Sequence, residues 1–166
     1  MKTLIIIPSR LSATRLPGKP LLKINGLSII SHVFKKAEEA NIGEVMVAAE
    51  DQEIIDDVKK NGGHAILTKN HHKSGTDRIY EVFKNELNEQ PNIIINLQGD
   101  MPNIKPEAIS GLISYMKQGK CEIGTLASRI SSKDELQNPN VVKVLVKGNF
   151  SENEFLESLD FFRKSE

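Results

Sequence analysis

The chain has 166 residues, 39% of them apolar and 27% charged, which suits one soluble domain large enough to bury a core. Its 22 basic and 22 acidic residues cancel, and this argues against broad nucleic-acid binding, which calls for a basic excess. A single cysteine, Cys121, rules out an intramolecular disulfide and points to a reducing, cytoplasmic setting.

In chain order, short apolar runs alternate with amphipathic segments, the signature of crossover units on a parallel sheet. Thr3 to Ile7 is continuously apolar, as a strand covered on both faces should be. It is too short for a signal peptide's apolar region and meets Pro8 at once, and no stretch is long enough to span a membrane. A loop follows over 8–20, then a helix over Leu27 to Ala40, a strand over Glu44 to Ala49 and a helix over Gln52 to Asn61 stopped by Gly62-Gly63. His64 to Thr68 reads as a short strand, Thr76 to Leu87 as a helix and Asn92 to Leu97 as a central strand.

Pro106 suits the first turn of a helix reaching Gln118. Glu122 to Ile130 and Val141 to Lys147 read as further strands, with a helical turn over Lys133 to Leu136 between them. Residues 151–166 break the rhythm; Phe155, Leu156, Leu159 and Phe162 fit either an amphipathic helix or a strand with a tail. The expected architecture is a three-layer αβα, Rossmann-like domain over 1–150 with a mostly parallel sheet, followed by a tail.

Open α/β sheets bind ligands beyond the carboxyl ends of their strands, so the loops there carry the functional reading. The loop over 8–20 sets Arg10, Arg15 and Lys19 among Ser9, Ser12, Thr14 and Gly18, and no acidic residue precedes Glu38. Guanidinium forks and a mobile ammonium suit phosphate oxygens, and small residues let backbone amides approach. The loop matches neither the dinucleotide glycine fingerprint nor the Walker loop, which leaves a dehydrogenase a remote alternative. In Ser74-Gly75-Thr76-Asp77-Arg78, Ser74 or Thr76 can cap a helix, or the helix start can hold a base or an anion. Asp100, closing Gln98-Gly99-Asp100 after the central strand, is placed to present Mg²⁺ to a bound triphosphate. The adjacent pair His71-His72 points apart on most backbones, which argues against zinc. Lys143, inside an apolar strand, is either on an exposed face or turned towards a ligand.

Taken together, Ile6 to Arg10 with Thr14 to Leu21, Ser74 to Arg78, Asn96 to Asp100 with Pro102, and Asn138 to Val144 resemble the 3-deoxy-manno-octulosonate (KDO) cytidylyltransferases, also called CMP-KDO synthetases. The resemblance runs to about Val146, and the first loop alone also resembles the CMP-sialic acid synthetases. It implies a nucleotidyltransferase of the nucleotide-diphospho-sugar transferase type, joining CTP to KDO with Mg²⁺ for lipopolysaccharide biosynthesis. Arg10, Arg15 and Lys19 are then the catalytic cations. Pro8, Ser9, Arg10, Lys19, Ser74, Arg78 and Gln98 seat the nucleotide. Arg15, Gln98 and Arg163 face the sugar acid, and Asp100 holds the metal. Members of the family are homodimers that continue past this sequence, through a histidine-bearing strand to a late aspartate that is a second Mg²⁺ ligand. The expectation is therefore a chain holding the nucleotide-binding part of such an enzyme. Two alternatives are a CTP-binding domain without turnover and a cytidylyltransferase for another acidic sugar such as sialic acid.

Overall fold

The structure is a computed structural model that describes residues 1–12, 16–87, 89–149, 151 and 154–163. Strand β1 (Thr3–Ser9) opens the chain, buried along nearly its whole length. After a 3-10 turn at Lys19–Leu21, β2 (Lys23–Ile24) and β3 (Leu27–Ser28) form a small hairpin. Its two turn residues, Asn25 and Gly26, both have positive φ (49° and 83°), as the type I′ turn that matches strand twist demands. Leu27 and Ser28 therefore belong to the hairpin and not to the helix expected there. Ser28 instead caps α1 (Ile29–Glu39), its hydroxyl accepting the Ser31 amide at 3.2 Å.

The chain continues through β4 (Glu44–Ala49), α2 (Gln52–Lys60), β5 (Ala65–Leu67), α3 (Gly75–Asn85), β6 (Ile93–Asn96) and α4 (Pro106–Met116). The four long-range strands make one parallel sheet in the order β5-β4-β1-β6. Because side chains alternate across a strand, the isoleucine run of β1 feeds both faces. Ile5 and Ile7, with Val45 and Val47, pack under α1, α2 and α4 through Val33, Phe34, Ile54, Val58 and Ile109. Leu4 and Ile6, with Met46 and Ala48, pack under α3 through Ile79 and Val82. This is the expected three-layer αβα arrangement.

Beyond α4 the expectation needs correction. Residues 122–130 form no strand: a strand must pair its amides and carbonyls, and this segment has no strand partner among the described residues, with Ile123 90% exposed. The short α5 (Lys133–Gln137) leads to β7 (Lys143–Val146), which pairs antiparallel with β8 (Ser158–Phe162). Of the two forms open to the tail, the strand is the one adopted, and Phe155 stacks on Tyr115 of α4 with ring centroids 3.9 Å apart. Lys143 is not on an exposed face. It is buried, and its ammonium donates to the carbonyls of Asn138 (2.5 Å) and Arg163 (2.6 Å), tying the segment before β7 to the residue after β8. No helix is long and apolar enough to cross a membrane.

Candidate active site

The strand order reverses at β1: from it the chain moves to β4 and β5 on one side, then returns to β6 on the other. The loops leaving the carboxyl ends of β1 and β6 must therefore part, and the crevice between them is where open α/β sheets take ligands. A cleft of about 290 Å³ lies there. The end of β1 contributes Pro8, Ser9 and Arg10, and the 3-10 turn contributes Lys19 and Pro20. The end of β6 contributes Gln98, Gly99 and Asp100, and the start of α3 adds His72, Ser74, Gly75 and Arg78. Gly99 runs so close to β1 that a Cβ on it would lie 3.1 Å from the Pro8 carbonyl oxygen.

The first loop is closed on itself. Gly18, at φ 72°, donates its amide to the Leu11 carbonyl at 3.1 Å. Leu11 in turn donates its own amide to Asp51 Oδ2 at 2.7 Å, and the Ser12 hydroxyl donates to Glu50 Oε1 at 3.2 Å. Ser9 Oγ is buried on this wall without a hydrogen-bond partner among the described residues. An orphaned hydroxyl on a cleft wall is the kind of group that a polar ligand satisfies.

Across the cleft, Lys19 Nζ lies 2.8 Å from Asp100 Oδ2, with both side chains more than a third exposed. Gln98 donates its amide to Asn96 Oδ1 at 2.8 Å, leaving its carbonyl oxygen as the group able to accept from a ligand.

Ser74 caps α3 in a complete capping box: its hydroxyl accepts the Asp77 amide, and the Asp77 carboxylate accepts the Ser74 amide. The capping reading is thus the one observed, and Ser74 also lines the cleft. Arg78 sits 3% exposed, ion-paired with Glu50 and donating to Thr68 Oγ1 and the Lys69 carbonyl. Its charge is therefore matched from within the protein. His72 pairs with Glu81. Burial acts to raise the Glu81 carboxyl pKa, but the bonds from His72 and the Lys69 amide outweigh it and hold the group below the usual glutamate range.

Eight residues singled out from sequence, at positions 8, 9, 10, 19, 74, 78, 98 and 100, thus line a single cleft. Arg15 lies outside the described residues. Arg163 is not in the cleft: it follows β8, where its guanidinium donates to the Asn140 carbonyl at 3.4 Å. The sequence reading missed Glu50 and Asp51, although both leave the carboxyl end of a buried strand, as do the loops it did examine. Among the described residues no group of three or more His, Cys, Asp or Glu side chains gathers as a metal cluster. One carboxylate in a cleft that also holds Arg10 and Lys19 nevertheless fits Mg²⁺, which takes one or two from a protein and completes its shell with other oxygens and water.

Residues 4–166 match the family model described as cytidylyltransferase. The chain belongs to the cytidylyltransferase family. Among curated cytidylyltransferases, the 3-deoxy-manno-octulosonate cytidylyltransferase of Rhodopseudomonas palustris (strain HaA2) is 46% identical over 146 residues, covering 87% of this chain and 59% of that protein. The protein of the same name from Thermodesulfovibrio yellowstonii is 46% identical over 155 residues, covering 90% of this chain and 61% of its own length. A solved structure of CMP:2-keto-3-deoxy-manno-octonic acid synthetase complexed with CTP superimposes with a TM-score of 0.86 at 38% identity, over 99% of this chain and 65% of that one. The chain therefore spans roughly three-fifths of the length of these cytidylyltransferases.

Proposed function

We propose that this protein activates KDO with CTP, giving CMP-KDO and pyrophosphate. The observation that carries the reading is the convergence of three loops, distant in sequence, on one cleft at the switch point, where cations, an orphaned hydroxyl and one carboxylate face a common space. The names and similarity of the relatives supply the substrate pair.

In this reading the anomeric hydroxyl of KDO attacks the α-phosphorus of CTP and pyrophosphate leaves, so no covalent bond to the protein forms. Catalysis then rests on positioning and charge compensation. Arg10 and Lys19 hold the triphosphate and offset the charge that accumulates as pyrophosphate departs. Ser9 donates to a phosphate oxygen, and the Gln98 carbonyl accepts from the exocyclic amino group of cytosine. Arg78 shapes the wall of the cleft without contacting phosphate, its charge being matched by Glu50. Asp100 would be the residue that holds Mg²⁺, and the ion, when bound, would supply positive charge to offset that of the phosphates. Arg15 is proposed to face the KDO carboxylate, the protein to work in the cytoplasm as a homodimer, and the product to serve lipopolysaccharide assembly; Arg163, bonded to the Asn140 carbonyl away from the cleft, is given no part in the site.

A second reading, a CTP-binding domain without turnover, rests on the same cleft and differs only in whether pyrophosphate is released. Pyrophosphate release from CTP and Mg²⁺, measured with KDO, with sialic acid and with neither, separates the two. Release that requires KDO supports the activation reading. CTP binding without release under any condition replaces it with the second, and release with sialic acid alone changes the acceptor.

A further inference from the structure

Asp51 stands at the N-cap of α2, the place where an aspartate ordinarily accepts an amide of its own helix's first turn. It makes no such bond. Its carboxylate turns away from the helix and accepts the Leu11 amide at 2.7 Å, forty positions earlier in the chain. Leu11 is also the residue whose carbonyl accepts the Gly18 amide, so the ring closing the first loop is pinned at that point. Glu50, next in the chain, receives the Ser12 hydroxyl on one oxygen and Arg78 on the other.

A carboxylate set beside a cationic loop weakens that loop's attraction for phosphate. Such a placement is at odds with a purely electrostatic anion site, and helix capping does not explain it, because the cap is unmade. What the bond does achieve is to hold the amide of Leu11, two residues beyond Ser9 and next to Arg10, both of which line the cleft.

We infer that Asp51 is a positioning residue for the phosphate loop, fixing the Arg10–Leu11 backbone so that the cleft wall is formed before a nucleoside triphosphate arrives. The inference rests on the proposed CTP reading for its ligand but not for its geometry. A preorganised loop spares the ligand the cost of ordering it, so loss of the tie lowers affinity without removing any group that touches the ligand.

The test uses Asp51→Ser, which can still cap α2 but is too short to reach Leu11, and Asp51→Asn, which keeps an acceptor at the same reach. Two quantities are read on the full chain: hydrogen exchange of the Leu11 amide by NMR without ligand, and the dissociation constant for CTP with Mg²⁺. Asp51→Ser should accelerate Leu11 exchange and weaken CTP binding by about tenfold each, with the melting temperature held, while Asp51→Asn recovers most of both. Unchanged Leu11 exchange in Asp51→Ser overturns the inference, as does faster exchange with unchanged CTP affinity. If the unsubstituted protein fails to bind CTP, the nucleotide reading falls, and Leu11 exchange alone still decides whether Asp51 holds the loop.

Discussion

Lys19 Nζ and Asp100 Oδ2 are 2.8 Å apart, joining the end of the first loop to the loop that follows β6. The two groups have separate expected tasks, a phosphate oxygen for the ammonium and a metal ion for the carboxylate. Each therefore partners the other where a ligand would supply its counter-charge. Because both are well exposed, the pair is held weakly and is readily exchanged.

Removing the cation tests its share. Lys19→Ala should lower turnover by about a hundredfold, the scale for loss of one preorganised charge at a reacting group. Its stability should stay within about 0.5 kcal/mol of the parent, as for other exposed sites. Steady-state pyrophosphate release and urea unfolding measure the two effects, and unchanged turnover would remove Lys19 from the machinery.

Removing the carboxylate should act on the metal. Asp100→Asn should raise the Mg²⁺ concentration for half-maximal activity by roughly tenfold or more, since Mg²⁺ takes so few carboxylates from a protein. Preference for CTP over UTP should be unaffected. A Mg²⁺ titration at saturating CTP reads the first and competition between the nucleotides the second.

Arg78 and Glu50 make a buried pair, 3% and 11% exposed at the side chain. Arg78→Met should cost about 3 kcal/mol in urea unfolding, because it strands the Glu50 charge. The double variant Arg78→Met with Glu50→Gln should recover a substantial part of that loss. If the single change costs little, the guanidinium is not the brace its three acceptors indicate.

The sequence was most informative where one element's residues decide the outcome alone. The unbroken apolar runs of β1 and β4 announce strands covered on both sides, and Ser74 with Asp77 three places later announces a capped helix start. It was least informative where a partner decides. Residues 122–130 have strand-like composition, but pairing depends on a neighbour that composition does not reveal. The Asn25-Gly26 turn was legible, and overlooking it moved the start of α1 by two residues. Convergence of the three loops followed from the strand order, whereas the ties of Asp51 to Leu11 and Glu50 to Ser12 depend on a reach across forty residues that no local pattern encodes.

The Glu81 carboxyl, held below its ordinary 4.5 by His72 and the Lys69 amide, gives stability a defined pH dependence. A carboxyl with a depressed folded-state value contributes stability that is present above the unfolded value and lost as pH falls through the folded one. Glu81→Gln should therefore be less stable than the parent by about 1 kcal/mol near neutrality. That gap should narrow as pH falls below 4.5. Urea unfolding at a series of pH values checks this; a gap that widens in acid would reverse the assignment.

Calorimetric titration of the chain with CTP in Mg²⁺, set beside the same titration of Lys19→Ala, bears most directly on the claim that the switch-point cleft seats the triphosphate. The expected result is saturable binding at one site per chain that Lys19→Ala weakens strongly. Absence of CTP binding, or binding that Lys19→Ala leaves unchanged, would contradict the account.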